Sequence, residues 1–62
     1  MPEQNQIEVA RRLIGRHGRR AAAVAEEHAS EARVAGDTAA HGHWNSVQAA
    51  VSELRRTAPK AA

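Results

Sequence analysis

Cysteine, phenylalanine and tyrosine are absent from this chain, and Trp44 is its one large aromatic side chain. Without cysteine there is no disulfide scaffold, no cysteine-ligated zinc ribbon and no thiol nucleophile. Long apolar runs are missing too, since none approaches the roughly 20 residues that a bilayer span requires. Residues 1–20, MPEQNQIEVARRLIGRHGRR, hold no central apolar block of the signal-peptide kind. A cytoplasmic protein without a membrane span is therefore expected. Bulky side chains are scarce. Fifteen of the 62 residues are alanine, and only eleven carry a larger apolar group: Met1, Ile7, Val9, Leu13, Ile14, Val24, Val34, Trp44, Val47, Val51 and Leu54. A chain this short, with neither disulfide nor metal, commonly gains stability by associating. The composition thus favours a homo-oligomer or a subunit of a larger protein complex.

What is abundant is alanine, the best helix former, and a small residue that lets helices approach closely. The apolar spacing predicts three helices. Over residues 3–17, Ile7, Ala10, Ile14 and His17 recur every three or four positions, with Leu13 beside them. Pro2 sits where a first-turn proline is tolerated, and Arg11, Arg12 and Arg16 fall late, as the helix dipole prefers. Gly18 is suited to close this helix. The alternative is a two-helix hairpin whose long first helix runs from 3 to 35. A second helix over 20–35 aligns Ala21, Val24, His28, Ala32 and Ala35 on one stripe. Gly36–Asp37 marks a boundary, because glycine ends a helix and aspartate caps the next. Residues 38–57 carry the clearest pattern, Ala40, Trp44, Val47, Val51 and Leu54, before Pro59 stops it. One domain over 1–58 and a frayed tail over 59–62 are expected.

A helix ending in His17–Gly18, then Gly36–Asp37, then Trp44 seven positions after the aspartate, then Val47, Val51 and Leu54, forms a recognisable order. It resembles a group of short uncharacterised proteins frequent in alphaproteobacteria, with the pattern HG, GD-x6-W and V-x-x-x-V-x-x-L. The resemblance covers residues 9–54. This chain differs in having Arg19 and Arg20 after the HG turn and Gly42 where the group often has a glycine near 40. The resemblance implies a three-helix fold in a bacterial cytoplasm and carries no activity with it.

Charge is uneven. The formal net charge is +2 with eight arginines to one lysine, yet residues 11–20 hold five arginines and no acid, while residues 26–31, EEHASE, hold three acids and no base. Arg11, Arg12, Arg16, Arg19 and Arg20 are the candidates for an anionic partner, and Arg12, Arg16 and Arg19 share a face if the helix runs on. No aromatic residue accompanies them for base stacking, so nucleic acid is the secondary expectation. A basic face pairing with acidic side chains of another element accounts for the same residues.

Four histidines raise the question of a metal. His41 and His43 diverge by about 200° on a helix and cannot share an ion. Antiparallel packing about residues 36–37 brings His28 toward His41, but zinc asks for three or four ligands and neither H-x3-H nor H-E-x-x-H occurs. No metal, cofactor or small-molecule substrate is inferred. Serines, histidines and acids are present without a rigid water-excluding frame, and no catalytic residue is assigned. Trp44, expected to anchor the core, is also an interaction candidate together with Ile7, Leu13 and Ile14, since tryptophan is enriched at contact hot spots. The sequence thus predicts an all-α, small three-helix bundle. Its expected role is a non-catalytic protein-interaction module. The alternative is a small basic nucleic-acid-associated protein.

Overall fold

The computed structural model describes residues 3–57, and the expected 59–62 tail lies outside them. Three α-helices follow one another: α1 (Gln4–His17), α2 (Ala21–Val34) and α3 (Thr38–Thr57), with a single 3-10 turn, Gly18–Arg20, between the first two. The all-α, three-helix expectation holds, and the helix bounds fall within a residue or so of those read from spacing. No helix among the described residues is long and apolar enough to cross a membrane.

Each boundary has a local cause. At the start of α1 the Glu3 backbone N–H donates to Gln6 Oε1 at 2.8 Å, the reciprocal half of a capping box. At its end Gly18 adopts φ 58° and ψ −121°. That conformation mirrors the extended region and is open to glycine but not to a residue with a Cβ. The long continuous helix is thereby excluded. Arg19 consequently leaves the face that Arg12 and Arg16 share.

The second boundary is built more tightly. Gly36 has φ 75°. Its N–H donates to the Arg33 carbonyl at 3.1 Å, and the Asp37 N–H donates to the Ala32 carbonyl at 2.9 Å. These two bonds are the Schellman pair that ends a helix. Asp37 then opens α3. Its Oδ1 accepts from the Ala40 N–H at 3.0 Å, and its carbonyl accepts from the His41 N–H at 2.9 Å. Two residues therefore close one helix and cap the next, which forces α2 and α3 into an antiparallel pair.

The fully buried centre is small. Ala10, Ala21, Ala25, Ala50, Val47 and Val51 form it, and Val47 and Val51 are the largest side chains wholly removed from solvent. α3 lies against both other helices and presents Val47, Ala50 and Val51 to them. On α2 the buried stripe is Ala21, Ala25, Ala29 and Ala32. This corrects the stripe expected from spacing. Val24 sits half-buried at its edge, and His28 and Ala35 are exposed. The reason is packing distance: methyl groups let α2 sit close to α3, and a valine or imidazole at the centre of that seam would hold the two backbones apart.

Candidate interaction surface

The larger apolar side chains end up around the seam rather than inside it. Ile7, Val9, Leu13, Ile14, Trp44 and Leu54 pack against the buried centre while remaining partly exposed. Val34 is 82% exposed. Of the apolar residues on the stripes read from spacing, Ile7, Leu13, Ile14, Val24, Trp44 and Leu54 are half-buried, whereas Ala10, Ala32, Val47 and Val51 are buried.

Trp44 illustrates the difference. Its ring stacks on His28, with centroids 4.3 Å apart and planes 21° from parallel. His43 meets it edge-on at 5.2 Å and 77°. The indole is a shoulder on the α2–α3 seam, with an imidazole rather than aliphatic carbon across its face. The stack also fixes the register, placing His28 beside Trp44 rather than beside His41, the partner expected from packing about the turn.

Between α1 and α2 runs an open groove of about 490 Å³. Val9, Leu13 and Val24 give it an apolar floor. Arg12 and Arg16 line one side, His17 and His28 add imidazoles, and Gly15 leaves a gap in the α1 wall. Residues 9 and 13 share this groove with 28 and 24, so α1 runs antiparallel to α2. A Cβ built on Gly15 would meet no atom within 4 Å. Packing within the protomer thus gives no reason for glycine at a position where it costs about 1 kcal/mol relative to alanine.

Electrostatics separate two patches. Among the described residues, ion-pair distances occur at His28–Glu31, with Nδ1 to Oε1 at 3.8 Å, and at Glu53–Arg56. Arg11, Arg12, Arg16, Arg19 and Arg20 are all exposed, and none reaches a carboxylate of the described residues. Glu26 and Glu27 on α2 are exposed and reach no cation of the described residues. The basic and acidic segments of the sequence thus do not pair with each other inside one protomer.

The histidines are dispersed. His28 lines the α1–α2 groove, whereas His41 lines a separate concavity with Arg33, Gly36, Asp37 and Thr38. The Asn45 Nδ2 lies 3.4 Å from His41 Nε2. Among the described residues no group of three or more His, Asp or Glu is arranged to hold a metal ion. The sequence pointed to Leu13, Arg12 and Arg16. It missed Val9, Val24 and Gly15 as parts of one groove, because they come from two helices whose relative rotation no local pattern encodes. The chain matches no protein-family model, no curated protein and no solved structure.

Proposed function

We propose that this protein is a non-catalytic protein-interaction module, a small accessory or regulatory subunit that acts through helix–helix contacts. The observation that carries this reading is the open groove: Val9, Leu13 and Val24 line it half-covered, while the closed face of α2 is made of alanines. Apolar groups left half-covered gain roughly 25 cal/mol for each Å² removed from water, and a docking helix supplies that cover. Arg12 and Arg16 beside the floor orient such a helix and select against a cationic one. Kinship with the short alphaproteobacterial three-helix proteins and a cytoplasmic setting belong to the same reading.

The test is thermal unfolding and sedimentation equilibrium over a wide concentration range. Association through the native state raises the melting temperature with concentration. A lone protomer with sharp, concentration-independent melting would overturn self-association as the way the groove is covered.

One observation favours a second reading, a small basic protein associated with nucleic acid: five exposed arginines without a carboxylate partner among the described residues. A phosphate binder loses affinity as a power of salt concentration, whereas an apolar helix contact holds. A mobility-shift titration with duplex DNA and with RNA, from low to moderate salt, separates the two. Absence of any shift at low salt removes the second reading.

A further inference from the structure

We infer that the surface completing the α1–α2 groove is a second copy of this chain, placed by two-fold symmetry so that α2 of each protomer runs antiparallel to α2 of the other. The inference rests on the interaction-module reading and names its partner.

Charge is ordered along the chain that leads into and through α2. The N-terminal end of α2 follows Arg19 and Arg20 and has Arg12 and Arg16 beside it across the groove. From its midpoint onward it carries Glu27 and Glu31, both exposed, then a single cation, Arg33, in the last turn before Val34. Glu27, Glu31 and Val34 stand at i, i+4 and i+7 and so form one stripe. That stripe lies roughly opposite the buried alanines and next to Val24, which lines the groove. The stretch from Arg12 to Glu31 is therefore basic at its start and acidic at its close, with Arg33 one cation beyond it.

An antiparallel crossing sets the acids of one α2 against the arginines that precede α2 in the other copy, and the two-fold repeats the match. Glu27 and Glu31 of one copy then approach Arg12 and Arg16 of the other, supplying the carboxylates those arginines lack among the described residues. A parallel crossing would instead oppose like charges. The same placement carries Val34, 82% exposed in the protomer, over the arginine-bearing end of its partner, where aliphatic arginine stems can cover it. Gly15 gives the approaching backbone room on the α1 wall.

The test is a charge exchange on the full chain. Glu27→Arg with Glu31→Arg forms one variant, and Arg12→Glu with Arg16→Glu the other. All four positions are exposed, and circular dichroism confirms that each variant keeps its helices. Each variant alone is expected to lose self-association by about a hundredfold, because symmetry counts every repulsion twice. An equimolar mixture is expected to recover a dimer containing one of each, seen by native mass spectrometry and sedimentation. Val34→Ser should weaken the wild-type dimer about tenfold through lost apolar cover, with helicity unchanged. Wild-type association that both charge variants retain, or a mixture that stays monomeric, overturns this arrangement while leaving the interaction module standing. A wild-type chain that stays monomeric and fully folded removes both this dimer and the self-association on which it rests.

Discussion

The α2–α3 seam is closed and the α1–α2 groove is open, although both carry apolar side chains. The seam has methyl groups on one side, from Ala21, Ala25, Ala29 and Ala32, and Val47, Ala50 and Val51 on the other. It is closed by a two-residue turn in which Gly36 and Asp37 satisfy backbone groups of both helices. The groove has Val9, Leu13 and Val24, with no alanine among its lining residues, and stays open to about 490 Å³. Its two helices are joined through Gly18 and a looser 3-10 turn. The alanine face of α2 thus lets α3 approach closely enough to bury Val47 and Val51. Valines and a leucine without such a face opposite them stay half-covered. The lesson is that the size of an apolar side chain does not by itself say where the core lies. In an alanine-rich chain, close backbone approach does more to exclude water than bulk does.

The sharpest way to break this contrast is to put bulk into the seam. Ala25 is fully buried, and Ala25→Leu should destabilise the protein by about 3 kcal/mol through overpacking. In a domain this small that appears as lost helicity in a thermal melt. Trp44→Ala should cost about 2 kcal/mol, less than the ~3–5 of a fully buried indole, because Trp44 sits on the shoulder of the seam against His28. A folded but less stable variant in chemical denaturation is the expected outcome. Gly18→Ala bears on the joint between the two regions. With φ at 58° and open space around the added methyl, the cost is backbone strain alone, about 1.5 kcal/mol. A raised melting temperature there would argue for a continuous helix from α1 into α2. The smallest effect has the opposite sign. Gly15→Ala should stabilise the dilute protomer by up to about 1 kcal/mol, since the groove leaves the new methyl free, while narrowing the space for a docking helix. Comparing melts at low and high concentration separates the two consequences.

Much of the fold was legible in the sequence. Gly18, Gly36 and Asp37 marked the ends of helices, and each acts there through its own backbone or through bonds to residues no more than five positions away. The stripe from Ala40 through Leu54 was read correctly as the inner face of the last helix, with Val47 and Val51 at its centre. The inner face of α2 was read one position off. Its alanines occupy several neighbouring directions around the helix, so the sequence offered a wide apolar arc, and Val24 and His28 fell within it. Of the candidate interaction residues, Leu13, Arg12 and Arg16 were named for the ridge or the charge they carry. Their meeting with Val9, Val24 and Gly15 in one groove was not foreseen.

What the amino-acid order determined alone is the number of helices, where they stop, and the separation of a basic stretch from an acidic one. These depend on glycine's access to positive φ, on aspartate's reach to a nearby N–H, and on counting charges. Only the tertiary structure decided that α2 turns its methyl groups to α3, that Trp44 lies half outside, and that the arginines of residues 11–20 find no carboxylate among the described residues. The physical reason is that rotation of one helix about its axis is set by how closely its neighbour can approach. That distance belongs to the pair of helices and cannot be read from either one.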